Sequence, residues 1–375
     1  MREKKMRAKL EDFLQEVCEK TITNNQYPVL TSSKSGLFLQ SDYFNKQVAS
    51  KDNTGYKIIR RGQFTYRAMS DTGEFFPNML ECADVGIVSP AYPVFEIIKQ
   101  DQIVPEYLNY YFKSNRFQNS ISTFAQGSTR TSVKFGKLKK VSIELPEIKK
   151  QYQIIRTLDL LRTIINNRKK EVLELDELIR ARFVEMFGNG HDGFCNTKKL
   201  GEFCKFQQGT QIPVEEQIEE QLEGYTRFLR IIDYTQAPQI PRYVSVKGRE
   251  IAEDSVVIVR YGATAGFVGH GYAGILANNL FEVVPDESIL SKDFLYLALK
   301  YGTFEQEVHD KAFGAAMPAL SFGMMNDIGV VTPNSTAQNG FIDFVKQVDK
   351  SKATVQKALD ETQLLFDSLM QQYFG

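Results

Sequence analysis

Residues 146–188 read PEIKKQYQIIRTLDLLRTIINNRKKEVLELDELIRARFVEMFG, and residues 333–375 read PNSTAQNGFIDFVKQVDKSKATVQKALDETQLLFDSLMQQYFG. At a constant shift of 187, Gly136, Pro146, Gln151, Ile155, Lys170, Glu174, Leu178, Phe187 and Gly188 fall on Gly323, Pro333, Gln338, Ile342, Lys357, Glu361, Leu365, Phe374 and Gly375. The same shift matches Phe135 to Phe322, Ala125 and Gly127 to Ala312 and Gly314, Phe117 to Phe304, and Tyr107-Leu108 to Phe294-Leu295, then fades before about residue 100. A period of this size is too long for a solenoid repeat and implies duplication of a whole domain. The chain is two copies of one plan, with similar distal scaffolds and divergent proximal heads.

The quoted segments are the scaffolds. Strong helix formers run from Pro146 to Phe187 without an interior Gly or Pro, and apolar positions step by threes and fours. Leu158, Leu161, Ile165, Val172, Leu175 and Ile179 form one seam, broken by Arg168 and Arg182. Val345, Val348, Val355, Leu359, Phe366 and Leu369 form the other, broken by Lys352 and Thr362. A helix of roughly 40 residues is about 60 Å long, too long for the core of one compact domain. Each rod therefore needs a partner along its length, and the expectation is antiparallel pairing of the two within one chain. Pairing between two chains is the alternative. Val141–Pro146 and Ile328–Pro333 alternate and end in Pro, which predicts a strand leading into each helix.

A chain of 375 residues, 42% of them hydrophobic, can bury two ordinary cores. It contains no run of 18 apolar residues, and its N-terminus, MREKKMRAKLEDFL, is charged where a signal peptide would be apolar. Met6, Leu10, Phe13, Leu14 and Val17 recur there at helical spacing and predict an N-terminal helix. The expectation is a soluble cytoplasmic protein, neither secreted nor anchored. Cys18, Cys82, Cys195 and Cys204 form no C-x-x-C pair, so reduced thiols are expected rather than a disulfide framework or a zinc knuckle.

The zero net charge hides an asymmetry. Residues 1–188 hold 30 Lys+Arg against 22 Asp+Glu, and residues 189–375 hold 16 against 24. The basic half invites phosphate contacts, whereas the acidic half needs local cations such as Arg227, Arg230, Arg242, Arg249 and Arg260. Part of that acidity lies in 215–223, expected to be a solvated helix face or loop.

Between the rods lie β-type runs punctuated by Gly, Asn and Asp, such as Tyr56–Ile59, Gly86–Val88, Ser255–Val259 and Leu280–Val284, with helical stretches at 105–123 and 292–312. The expected class is α+β: two α/β globular heads separated by two long helices that pair as an antiparallel coiled coil with pseudo-twofold symmetry. The expected boundaries are 1–135 for the first head with its N-terminal helix, 136–190 for a strand and spacer helix, 191–322 for the second head, and 323–375 for the second strand and helix.

The motifs for several chemistries are missing from the sequence. It has no G-x-x-x-x-G-K-[ST] loop and no H-E-x-x-H, and His191, His270 and His309 lack metal-ligand spacing. Gly262, Gly266, Gly269, Gly271 and Gly274 follow a strand without opening a periodic helix, so turns and a hairpin are favoured over a phosphate cradle. Nor is there an aromatic Asn-Pro-Pro or Asp-Pro-Pro tetrapeptide of the kind amino-methyltransferases use. No residue set supports a catalytic, metal or cofactor site.

What remains is recognition. Ala125–Lys134 combines a Gly turn, small hydroxyls and two cations, suited to phosphate and base-edge bonding through Gln126, Ser128, Thr129, Arg130 and Lys134. Its copy, 312–321, has lost the polar groups. Further candidates are Arg60, Arg61, Tyr66 and Arg67 in the first head, and Arg227, Arg230, Asp233, Arg260, Tyr261, Asn278 and Asn279 in the second. Arg and Asn are the side chains shaped for bidentate contacts to guanine and adenine edges. Any one of them could instead close a turn or pair with a carboxylate.

The order head, rod, head, rod resembles the specificity subunit of type I restriction–modification systems over essentially the whole chain. The resemblance is carried by Leu138…Ile143-Glu144-Leu145-Pro146…Gln151…Ile155, by Leu175…Leu178…Phe183…Met186-Phe187-Gly188, and by Pro333…Gln338…Phe374-Gly375. In the second head, Gly209…Arg230-Ile231-Ile232-Asp233 and Gly262-Ala263-Thr264-Ala265-Gly266 are also similar to that family's variable domains. The resemblance implies two target-recognition domains, each reading half of a bipartite double-stranded DNA target, and rods that set the spacer. It implies docking of two adenine-N6 methyltransferase subunits carrying S-adenosylmethionine, and of restriction translocase subunits, with no cofactor on this chain and no catalysis by it. The alternative is a coiled-coil protein-interaction adaptor. A third possibility is a cryptic nuclease or transferase activity.

Overall fold

A computed structural model describes residues 6–43, 52–127, 130–188, 195–236, 239–312 and 319–375. The chain falls into two compact units, Met1–Arg168 with Ala358–Gly375, and Lys169–Lys357. The long helices, Ile148–Phe187 and Ser335–Phe374, each contribute one stretch to each unit.

In the first unit the strand Met6–Lys9 pairs antiparallel with Ser142–Leu145, the strand that leads into the first long helix. The predicted N-terminal helix does not form. Met6–Lys9 and Leu14–Val17 are strands around a single 3-10 turn, Leu10–Asp12. Two ladders override the helical period: Met6–Lys9 satisfies the strand before the rod, and Leu14–Val17 pairs with Val94–Ile97. Leu10, Phe13 and Leu14 are buried, whereas Met6 is exposed and Val17 only partly covered, so part of the apolar set enters the core without a helix.

A four-stranded sheet runs in the order Leu14–Val17, Val94–Ile97, Phe64–Thr65, Asn78–Met79. Its aromatic face packs on the helices Pro105–Tyr111 and Asn115–Ser122, with Phe95 edge-on to Phe112 at 6.2 Å and Phe112 edge-on to Phe117 at 4.9 Å. Leu158 of the first long helix is fully buried in this core, and Phe374 of the second reaches Tyr107 at 5.1 Å. The N-terminal part of one helix thus lies with the C-terminal part of the other.

The second unit repeats the plan. Thr197–Lys199 pairs antiparallel with Gly329–Val331, the strand before the second long helix. A four-stranded sheet runs Cys204–Gln208, Leu280–Pro285, Val256–Val259, Val268–Gly269. The last two strands are the hairpin expected from the glycine-rich stretch. Here the C-terminal part of the first helix meets the N-terminal part of the second, with Phe183 edge-on to Phe341 at 5.4 Å. Within each unit the two helices run antiparallel, the pairing expected from the seams. Lys352, which breaks one seam, donates to Asp176 of the facing helix at 2.5 Å.

The repeat also resumes where sequence similarity had faded. Lys9-Leu10-Glu11-Asp12-Phe13 and Lys199-Leu200-Gly201-Glu202-Phe203 occupy equivalent turns, with the amides of Lys9 and Lys199 donating to Asp12 and Glu202. The offset there is 190 instead of 187, so a constant shift misses it. The heads differ beyond the shared sheet. The first adds the two-stranded pairs Lys57–Arg60 with Val85–Val88, Leu30–Ser33 with Gly36–Leu39, and Met69–Ser70 with Thr131–Ser132. The second adds a four-stranded sheet, Arg242–Val244, Thr226–Leu229, Gly274–Leu276, Glu250–Ile251.

Candidate nucleic-acid interface

In the first head, Gln126 and Ser132 pair through their backbones. The Gln126 amide donates to the Ser132 carbonyl at 3.1 Å, and the Ser132 amide returns the bond at 2.8 Å. Thr131 and Ser132 in turn pair with Ser70 and Met69. Gly127 sits at φ +122°, and a Cβ there would run into the carbonyl of Arg130, so glycine is required. Ser128 and Thr129 lie outside the described residues.

This folding gathers Arg67 and Arg130, which are far apart in sequence, on one carboxylate. Arg130 Nε donates to Asp71 Oδ1 at 2.7 Å, and Arg67 Nη2 lies 3.8 Å from Asp71 Oδ2. A groove of about 330 Å³ opens here, lined by Ser32, Ser33, Lys34, Arg67, Ser70, Asp71 and Thr72 among others. Lys34 lies 5.4 Å over the ring of Phe76 and 3.3 Å from Glu74. Lys134 is exposed just beyond, at the start of the short helix Phe135–Leu138. Cations, hydroxyls and a polar turn converge on one surface, the composition that binds phosphates and base edges.

Arg60 and Arg61 do not join this cluster. Arg60 pairs with Glu19 at 2.7 Å, and Arg61 with Asp84 at 2.8 Å and the Glu81 carbonyl at 2.6 Å. Both line a different cavity, of about 680 Å³, together with Glu81, Glu96 and Glu106, whose carboxylates oppose phosphate. Tyr66 is fully buried and donates its hydroxyl to the Val133 carbonyl at 2.9 Å, which anchors the strand end after the Arg130 loop. Burial pushes its phenol above the ordinary tyrosine range. Its aromatic face is unavailable to a base, because the residue belongs to the core that supports the loop.

The second head also gathers two arginines on one aspartate. Asp233, nearly fully buried, accepts from the Arg230 backbone amide at 2.9 Å and from Arg230 Nε at 3.0 Å, while Arg227 Nη2 lies 3.8 Å away. Arg230 also donates to the Ile240 carbonyl at 2.9 Å, and Arg227 lies 4.4 Å over the ring of Tyr272. A buried carboxylate this well paired is a structural anchor, so Asp233 orients arginines and does not itself face outward. Among the described residues Arg227 Nε is buried without an acceptor, as is the hydroxyl of Tyr234 without a partner. Burial, and then the charge of Asp233, push the Tyr234 phenol upward.

Arg260, Tyr261, Asn278 and Asn279 form a second group. The Arg260 amide donates to the Asn279 carbonyl at 2.9 Å, and its guanidinium stacks 4.8 Å over Tyr261, which is exposed. Arg260 Nε also donates to the Leu320 carbonyl at 3.3 Å. Asn278 donates to Gln211 at 3.4 Å, and Asn279 Oδ1 is buried without a partner among the described residues. Of the other cations in this half, Arg242 pairs with Glu219 at 2.8 Å, and Arg249 with the buried Glu282. The acidic stretch is one 3-10 turn, Val214–Glu216, followed by a loop. The copy of the Gln126–Arg130 loop, residues 313–317, lies outside the described residues.

Sequence reading missed Asp71 and the hydroxyl wall of Ser32, Ser33, Ser70 and Thr72. A signal existed in Thr31-Ser32-Ser33-Lys34-Ser35-Gly36, which has the same blend of hydroxyls, cation and glycine as the Arg130 loop.

Comparison with known proteins accords with this arrangement. The family model described as the type I restriction modification DNA specificity domain matches residues 10–175 and again 195–362. Among curated proteins, the type I restriction enzyme MjaVIII specificity subunit of Methanocaldococcus jannaschii is 22% identical over 194 residues, 51% of this chain and 44% of that protein. The MjaIX specificity subunit of the same organism is 29% identical over 137 residues, 32% of each chain. The aligned parts thus span less than half the length of these relatives. Among solved structures, a type I restriction–modification S subunit from M. genitalium has a TM-score of 0.57 at 16% identity, over 100% of this chain and 97% of that one. A chain from a structure titled for complex assembly and conformational transition of the type I R-M system has a TM-score of 0.61 at 16% identity, over 99% and 97%. With two matches to the family model, one in each half, this chain belongs to the type I restriction–modification DNA specificity family.

Proposed function

We propose that this chain is the non-catalytic subunit that gives a type I restriction–modification complex its DNA sequence, each head reading one half of a bipartite target. The observation that carries the reading is that each head places two arginines on a single aspartate, Arg67 and Arg130 on Asp71 in one and Arg227 and Arg230 on Asp233 in the other. The two heads share a sheet order and differ in the layer that carries these arginines. A shared scaffold with different outer strands suits one task on two sequences. Phosphate contacts would position the heads and base-edge contacts would specify the target.

In this proposal the paired helices set the spacer between half-sites and offer surface to two adenine-N6 methyltransferase subunits, which bring S-adenosylmethionine, and to restriction translocase subunits. Methylating an exocyclic adenine amine requires flipping the base from the stack, a task for those partners. The boundaries read from the sequence, 1–135, 136–190, 191–322 and 323–375, remain the proposed domains.

The test is single-molecule sequencing of DNA from cells expressing this chain with its cognate methyltransferase subunit, against cells lacking it. A new bipartite motif methylated on both strands is expected. No new methylation by an assembled complex would overturn the proposal in favour of an interaction adaptor. Exchanging residues 20–135 should alter one half-site. Inserting one heptad in both helices, about 10 Å each, should lengthen the spacer and leave both half-sites unchanged.

A further inference from the structure

We infer that Arg130 reads a guanine in the half-site of the first head, and that Asp71 is the positioning residue that aims it. This inference rests on the DNA-reading function proposed above and adds to it a base and the residue pair that selects it.

The argument starts from the guanidinium. Arg130 is bound to Asp71 through Nε at 2.7 Å, and among the described residues its two terminal nitrogens meet no acceptor. Anchoring a planar group by one edge fixes its plane and leaves the terminal donors as a fork. The side chains of Arg130 and Asp71 are 60% and 55% exposed, so the fork stands at the surface, not in the core. Guanine presents two neighbouring acceptors, O6 and N7, on its major-groove edge, and the fork matches both. Adenine presents N7 beside an amino donor, which the same fork opposes.

Asp71 would by itself repel a DNA backbone. It is tolerable at such a surface because it is shared: Arg67 Nη2 lies 3.8 Å from its other oxygen, so the triad carries one net positive charge. The backbone is set as well. Gly127 takes a φ of +122° closed to other residues, and the Gln126 and Ser132 backbones exchange two hydrogen bonds around Arg130. A freely moving arginine would suit a phosphate. One held at its Nε, its backbone and the strand beyond is built to discriminate.

The experiment uses the complex of the full chain with its cognate methyltransferase subunit. Wild type, Arg130→Gln, Arg130→Lys, Asp71→Asn and Asp71→Glu are compared by methylation motif, and by binding to a duplex library varied at each half-site position. Wild type is expected to require guanine at one position of the half-site that changes when the first head is exchanged. Arg130→Gln should lose roughly 5- to 150-fold of discrimination at that position alone, and Arg130→Lys should lose nearly as much while retaining overall affinity. Asp71→Asn should weaken the same preference, and Asp71→Glu should restore part of it. A uniform loss of affinity with base preference unchanged would overturn the inference, assigning Arg130 to phosphate and leaving the proposed function intact. Absence of any sequence preference in the assembled wild-type complex would overturn both.

Discussion

The side-chain oxygen of Gln151 accepts from the backbone amide of Val104 at 2.9 Å, while its nitrogen donates to the carbonyls of Gln102 and Pro146, both at 2.9 Å. Shifted by 187, Gln338 makes the same set: it accepts from Ser291 at 3.1 Å and donates to Ile289 and Pro333, both at 2.9 Å. Each glutamine ties the start of a long helix to the loop before a head helix. Gln151 is fully buried, so Gln151→Ala leaves one amide and two carbonyls without partners. The expected destabilisation is at least about 1–3 kcal/mol, read as a lower denaturation midpoint in urea. Gln151→Glu should be no better, since a carboxylate cannot donate to the two carbonyls.

Those glutamines were legible in the sequence only as identities in a repeat, and their role needed the backbone that surrounds them. The rods, the strands before them and the α+β heads were legible because period and punctuation are local signals. The strands at Met6–Lys9 and Leu14–Val17 were not, because both pair with residues about 80 or more positions away and no local period reports such pairing. The candidate site was legible in part. Arg67 and Arg130 were picked for their chemistry, but Asp71, which unites them, looks like any surface carboxylate until Thr131 is seen beside Ser70. Tyr66 stood beside those cations in the sequence, but its ring is fully buried in the core.

Leu158 and Ile179 belong to the same seam and are each fully buried, one in the core of each unit. Leu158→Ala and Ile179→Ala should each cost about 2–5 kcal/mol, measured by chemical denaturation. Leu160→Ala, at an exposed position on the same helix, should lie within about 0.5 kcal/mol of wild type.

Lys352 interrupts the apolar seam and pairs with Asp176, whose side chain is 43% exposed. A partly solvated pair contributes at most about 1 kcal/mol. Lys352→Leu, which continues the seam and leaves Asp176 within reach of water, should therefore hold or raise the denaturation midpoint. A loss of several kcal/mol would mean that the pair is a registration device for the helices.

Burial pushes the Tyr111 phenol up to about 12, and those of Tyr66, Tyr107 and Tyr110 well above their ordinary range. For groups raised in the folded state, the stabilisation is complete below the unfolded pKa of about 10. It is lost as pH rises through the folded values. The first unit should hold its fold to about pH 10 and unfold steeply above it. Phenolate absorbance should rise together with loss of helical circular dichroism. Ionisation of every tyrosine, the buried ones included, at constant ellipticity would show that these hydroxyls reach water in the folded state.

Arg60 and Arg67 separate the two surfaces of the first head. Arg67 shares Asp71 with Arg130 beside the hydroxyl-lined groove, whereas Arg60 pairs with Glu19 and lines the cavity that holds Glu81, Glu96 and Glu106. Arg67→Ala and Lys134→Ala should weaken DNA binding by the assembled complex on every sequence. Each should lower the slope of log affinity against log salt by about 1, as expected for a lost phosphate contact. Arg60→Ala and Arg61→Ala should leave affinity and slope unchanged, because three carboxylates beside them exclude the backbone. Equal effects from all four substitutions would mean that DNA covers both surfaces and that the groove at Asp71 is not the distinguishing contact.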